Sequence, residues 1–145
     1  MKATLWTHTP DITHLNQLGK DTLGEHLGMR FIATGPRQLW ASLPVDHRTR
    51  QPMGLLHGGA SVALAETLGS VASYLCIPDP NQFMAVGIEI NANHLKSAFE
   101  GMVYGCVTPI RIGKSLHVWN INIKNERAQL CCTSRLTCMI VPRKR

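Results

Sequence analysis

Gln51-Pro52-Met53-Gly54-Leu55-Leu56-His57-Gly58-Gly59-Ala60-Ser61-Val62-Ala63-Leu64-Ala65-Glu66-Thr67-Leu68-Gly69-Ser70 runs from a polar, glycine-punctuated loop straight into the most apolar segment of the 145-residue chain. From Ala60 to Cys76 the residues are Ala, Val, Leu, Tyr, Cys, Gly, Ser and Thr apart from one acid, Glu66. Apolar side chains fall on all sides rather than along one stripe, which predicts a helix buried all round. A carboxylate there is costly unless it is used or paired, and this helix carries no Lys or Arg to pair with it. His57-Gly58-Gly59 stands at the predicted helix start, where backbone N–H groups lack intrahelical acceptors and the macrodipole is positive. Such an end can hold an oxyanion or a polarised carbonyl oxygen. A donor nest and a buried acid on one segment point toward acyl chemistry.

Composition bounds the rest. With 44% hydrophobic and 17% charged residues, residues 1–145 read as one globular domain with one core. Residues 1–26 form an N-terminal extension with a short helix, and 142–145 a basic tail. No stretch reaches the length of a membrane span, because Glu66, Gly69 and Ser70 interrupt the best candidate. Met1 to His8 has no apolar leader core, so a cytoplasmic address is expected. Five cysteines make an odd count without a C-x-x-C pair, which argues against a disulfide framework and a zinc knuckle. The seven histidines form no helical ligand pair, so no metal site is expected. The net charge of +6 is interspersed apart from Arg143-Lys144-Arg145, and nucleic acid is not an expected partner.

Taken in order, Asp11 is a capping residue before Ile12, Leu15 and Leu18 at helical spacing, predicting a short helix over an edge. Residues 27–34 and 38–45 read as strands around a Gly35-Pro36 turn, and 46–52 as a polar loop. After the long helix, strands are expected over 83–90, 102–112, 115–124 and 129–141. The alternations Val86, Ile88, Ile90 and Trp119, Ile121, Ile123 are their cues. Gly59 and Gly69 are expected to bring the helix backbone close to its neighbours along one side. The sum is an α+β fold, an antiparallel sheet wrapped around one long central helix.

Gln51-Pro52-x-Gly54-x-x-His57-Gly58-Gly59-x-Ser61-x-x-x-Ala65-Glu66-x-x-Gly69-Ser70, with Gly87-x-Glu89-Ile90-Asn91-Ala92-Asn93-His94 and Cys132-x-Ser134-Arg135-Leu136-Thr137, resembles the hotdog-fold acyl-CoA thioesterases. The likeness is strongest to their 1,4-dihydroxy-2-naphthoyl-CoA and enterobactin-proofreading branch, and it runs from about residue 27 to 140. It implies that Glu66 is the nucleophile or general base, that the Gly58 N–H polarises the thioester carbonyl, and that Gln51 donates a further hydrogen bond. It also implies that His57 fixes the loop or meets the thioester, that Ser70 positions water, and that His94 lines the acyl pocket. For the CoA half it points to Gly87, to His94-Leu95-Lys96-Ser97, and to the turn Arg111-Ile112-Gly113-Lys114-Ser115, with Arg111 and Lys114 on the phosphates. No cofactor is implied, since coenzyme A is part of the substrate. The acyl class expected is aromatic or hydroxynaphthoyl, with the 78–82 turn at the pocket rim; the exact acyl group is not readable, because pocket shape depends on side chains such as Phe83, Met84 and Tyr74 whose positions the sequence does not fix.

Other readings stand beside this one. A broad-specificity fatty acyl-CoA thioesterase fits the same motif. A non-catalytic acyl-CoA-binding protein would be expected to lack Glu66, and a hydratase to use an Asp and His pair in another motif. Ser61 lacks the strand and the closing glycine of a nucleophile elbow. Helix geometry adds a constraint: Gly58 and Glu66 lie about 12 Å apart along one axis, so one carbonyl cannot touch both. Two antiparallel copies, each offering Glu66 to the other's Gly58 loop, solve this, so a homodimer with shared sites is expected. The resemblance implies that two dimers form a tetramer.

Overall fold

A computed structural model describes residues 3–144 of the chain; Met1, Lys2 and the last residue of the basic tail lie outside the described residues. Two short helices, α1 (Ile12–Leu18) and α2 (Leu23–Leu27), precede β1 (Arg30–Gly35) and β2 (Gln38–Pro44). The long helix α3 (Gly58–Cys76) follows, then β3 (Phe83–His94), β4 (Met102–Ile112), β5 (Leu116–Asn125) and β6 (Leu130–Pro142). The strands form one antiparallel sheet in the order β1-β2-β4-β5-β6-β3, and α3 packs across β2 through β3 on one face. This is the expected wrapped-helix architecture.

The alternation in β5 puts His117, Trp119, Ile121 and Ile123 into the core, matched by Val103 and Val107 of β4 and Leu136 and Cys138 of β6. The Trp119 indole N–H donates to the Ser73 hydroxyl of α3 at 2.7 Å. Its ring stacks on Trp6, 6.4 Å between centroids, so the N-terminal segment closes one end of the core. That segment also ties down the helix end, where the Thr7 N–H donates to the Leu75 carbonyl at 2.9 Å. All five cysteines are free thiols, and four of them are buried. Burial pushes the Cys76 and Cys106 thiols up to about 11, so they stay protonated at neutral pH.

Close contact between α3 and the sheet depends on two missing side chains. A Cβ on Gly105 of β4 would stand 2.6 Å from Leu68 Cδ1, and one on Gly69 of α3 would run into Leu136 Cδ2. Gly59 has no such part. Ten residues leave it about 80° around the axis from Gly69, and its Cβ position meets only the His57 ring.

Three further expectations need correction. Residues 27–34 are not one strand, because Leu27 ends α2 and Gly28 closes that helix at φ +75°, a left-handed cap that favours glycine. β3 runs on to His94, because it stays paired with β6 as far as Cys132. Its alternation breaks at a bulge between Gly87 and Glu89, which leaves Ile88 52% exposed. Finally, α3 is not buried all round. Ala60, Ser61, Leu64, Ala65, Leu68, Gly69 and Ala72 face the sheet, while Val62, Ala63, Glu66, Thr67, Ser70, Val71 and Tyr74 form a half-buried face on the other side.

Replacing Gly105 with valine gains strand propensity but drives a branched side chain into Leu64 and Leu68, both fully buried. Packing is expected to win, so Gly105→Val should lose about 1–3 kcal/mol, read as a lower urea midpoint at unchanged slope.

Candidate active site

The loop before α3 is held by its own backbone. The Gln51 N–H donates to the Leu55 carbonyl and the Gly54 N–H to the Gln51 carbonyl, both at 2.9 Å. Gly54 sits at φ +86°, and the Gln51 side-chain oxygen accepts from the Met53 N–H. That use of the oxygen leaves the amide NH2 of Gln51 as its free donor. Further along, the Leu56 N–H donates to the Ala98 carbonyl and the His57 N–H to the Thr49 carbonyl, each at 2.8 Å. His57 is the N-cap, its Nδ1 accepting from the Gly59 N–H at 2.8 Å. The ring therefore caps the first turn of α3.

This capping distributes the first-turn donors unevenly. The N–H groups of Ala60 and Ser61 reach the His57 carbonyl and that of Gly59 reaches the His57 ring. The Gly58 N–H has no acceptor among the described residues. It is an orphan donor at the positive end of a 19-residue helix. The His94 ring stands beside it, since a Cβ on Gly58 would lie 2.9 Å from His94 Nε2. His94 thus belongs to the Gly58 end of α3 and not to the groove beside Glu66.

Glu66 lies two turns farther on, on the half-buried face. Its carboxylate rests against the β3 bulge, because a Cβ on Gly87 would stand 2.6 Å from Glu66 Oε1. Ser70 is one turn on, while the Thr67 hydroxyl is occupied by the Ala63 carbonyl at 2.7 Å. Glu66, Ser70 and Tyr74 line a groove of about 890 Å³ between α3 and the N-terminal helices. Its far wall carries Leu15, Leu18, Leu23, Met29 and Phe31. Sequence patterns place none of these in the site, although Leu18 and Leu23, at 52% and 62% exposure, are apolar residues that the core does not need. Arg48 also reaches the groove, but its guanidinium is engaged by Asp46 at 2.7 Å. That hydrogen bond holds the Asp46 carboxyl down at about 2. Phe83, Met84 and the 78–82 turn do not line this groove.

The segments expected to meet CoA sit at opposite ends of the sheet. Leu95 and Lys96 donate their N–H groups to the Cys131 carbonyl, and Lys96 and Ser97 border a smaller hollow with Arg127 and Glu126. The turn Arg111-Ile112-Gly113-Lys114-Ser115 closes the other end of β4, whose ten steps span about 33 Å. It is pinned by the Gly113 N–H donating to the Leu116 carbonyl at 2.8 Å. Behind it lies the buried His117, whose Nδ1 has no hydrogen-bond partner among the described residues and whose pKa burial lowers. One chain cannot bring both segments to one CoA phosphate. No cluster of three metal-ligating side chains occurs among the described residues, and no helix there is long and apolar enough to cross a membrane.

Residues 53–132, which include the helix, its capping His57 and the β3 bulge, match the thioesterase superfamily. The chain belongs to that superfamily and is a thioester hydrolase with the hotdog fold. It is 47% identical to the 1,4-dihydroxy-2-naphthoyl-CoA hydrolase of Escherichia coli, over 94% of this chain and 99% of that one. Its identity to the proofreading thioesterase EntH of Cronobacter turicensis is 44%, over 94% and 98% of the two chains. Among solved structures, a thioesterase from Haemophilus influenzae superposes with a TM-score of 0.92 at 46% identity, covering 96% of each chain.

The Gly87 contact makes a direct test. Gly87→Ala is expected to keep the secondary structure, since the residue is exposed on the sheet edge, yet to push the Glu66 carboxylate aside. A displacement near 1 Å should cost about a hundredfold in kcat for acyl-CoA hydrolysis, measured beside an unchanged far-UV spectrum.

Proposed function

We propose that the protein hydrolyses an aromatic, hydroxynaphthoyl-type acyl-CoA at sites shared between two protomers. The observation that carries this reading is the separation of the orphan Gly58 N–H from Glu66, about 12 Å along one helix. An oxyanion donor and a catalytic acid must each come within about 3 Å of the reacting group. Two antiparallel copies of α3 satisfy both, with Glu66 of one protomer facing the partner's Gly58. β3 supports the arrangement, because it is a twelve-residue strand paired on one side only among the described residues, and an open edge of that length is a template for a second copy. Two dimers then form the proposed tetramer.

In this site Glu66 acts as a general base. It takes a proton from water as the water oxygen attacks the thioester carbonyl, with Ser70 one turn on to orient that water. The negative charge that develops on the carbonyl oxygen is held by the partner's Gly58 N–H, assisted by the free amide of the partner's Gln51. Collapse of the tetrahedral intermediate breaks the C–S bond, and the proton on Glu66 passes to the departing CoA thiolate. Coenzyme A enters only as the leaving half of the substrate. Within the mixed lining of the groove, Leu18, Leu23, Met29 and Phe31 support an aryl acyl group, as does the likeness to a 1,4-dihydroxy-2-naphthoyl-CoA hydrolase.

Complementation tests the shared site. Glu66→Ala and Gln51→Ala, each nearly inactive alone, are expected to regain about a quarter of wild-type activity when unfolded together and refolded as an equimolar mixture. Half of the dimers are then mixed, each with one intact and one doubly damaged site. Refolded dimers as inactive as their parents would show that both groups act within one chain.

For the CoA half, Arg111 and Lys114 are the proposed phosphate contacts. Arg111→Ala and Lys114→Ala should raise KM for a CoA ester about tenfold and leave KM for the matching pantetheine thioester, which lacks the nucleotide, nearly unchanged. Equal changes on both substrates would remove the turn from the CoA site.

A further inference from the structure

The N-terminal helices are fastened more firmly than a bystander segment requires. Asn16 of α1 clasps the backbone of β1 in both directions, its Nδ2 donating to the Phe31 carbonyl at 3.0 Å and its Oδ1 accepting the Phe31 N–H at 2.9 Å. The clasp sits where a bulge between Phe31 and Ala33 interrupts the pairing of β1 with β2, so an amide side chain stands where a neighbouring strand would. Asp11 caps α1 through the Thr13 N–H at 2.9 Å. The Glu25 carboxylate accepts the Asp21 N–H at 2.7 Å, and the Thr22 hydroxyl donates to the Gly19 carbonyl at 2.6 Å. These bonds order a segment that carries Leu18 and Leu23 largely exposed, and both side chains line the groove that holds Glu66 and Ser70. The groove volume falls within the range of small-molecule sites, and an ordered wall that presents leucines among its polar residues to a catalytic acid can discriminate acyl groups by size.

We propose that α1 and α2 form the acyl-selecting wall of the active site, with Leu18 and Leu23 as contact residues for a bulky aryl acyl group and Asn16 as the positioning residue that sets the wall's distance from α3. The inference rests on the reading of Glu66 as the catalytic acid on this groove. A short acyl group ends near Glu66 and gains little from the wall, whereas a bicyclic aryl group reaches across to it. Selectivity therefore resides in a segment separate from the catalytic loop and helix.

The test compares 2-naphthoyl-CoA with acetyl-CoA on the full-length protein. Leu23→Ser changes an exposed side chain and should leave the melting temperature in place. It is expected to lower the ratio of kcat/KM for naphthoyl over acetyl about tenfold, chiefly through KM for the naphthoyl ester. Asn16→Ala should lower the same ratio by releasing the wall, and Asn16→Asp, which keeps the acceptor for the Phe31 N–H, should restore part of it. An unchanged ratio in Leu23→Ser and Asn16→Ala, or equal losses on both esters, would overturn the proposal. Glu66→Gln reports separately: activity retained on both esters would sink the assignment of the acid, while the ratios would still judge the wall.

Discussion

How closely α3 can approach the sheet sets the position of nearly every other functional group in this molecule. Where Gly105 and Gly69 lack side chains, Leu64, Leu68 and Leu136 fill the space, and the helix lies nearly on the strand backbones. That depth leaves the opposite face of α3 as a shelf, with Glu66 and Ser70 standing on it. A helix lifted by larger side chains would carry Glu66 away from Gly87 and close the groove against α1 and α2. Core packing and the position of the acid are therefore one constraint.

The two ends of α3 are finished differently, and the difference has chemical meaning. At the C-terminal end the chain's own N-terminal residues satisfy carbonyls, through the Thr7 N–H to Leu75 and the Thr7 hydroxyl to Cys76 at 3.1 Å. At the N-terminal end His57 satisfies the other first-turn donors and leaves the Gly58 N–H bare. An imidazole nitrogen rather than a carboxylate accepts from Gly59, so the positive end of the dipole is not cancelled by a negative capping charge. An oxyanion donor benefits from that choice.

Much of this was legible in the sequence because it depends on local pattern. The unbroken apolar run with one acid, the glycine pair behind His57 and the period-two alternation of Trp119, Ile121 and Ile123 each reflect the residue's own surroundings. What was not legible depends on distant partners. Five residues of α2 around Gly24 are too few to show a period. Ile88 has the spacing of a core residue, and only the bulge turns it outward. The open face of α3 could not be foreseen, because a helix apolar on all sides does not reveal which side the sheet will take. The groove wall escaped for a similar reason: Leu15 and Leu18 fit an ordinary packing helix, and only the placement of α1 by Asn16 brings them opposite Glu66.

The strand order carries a consequence for synthesis. β3 is translated directly after α3, yet its one neighbour in the sheet is β6, with Phe83 paired to Pro142 and His94 to Cys132. Until β6 has been made, β3 has no sheet to join, and the bulge that seats Glu66 has no partner to bulge against. A nascent chain can close β1, β2, β4 and β5 around α3 well before that moment. The long free edge of β3 is therefore set in place only once β6 has joined the sheet, so the closing strand and the face left open for another chain are made in one step.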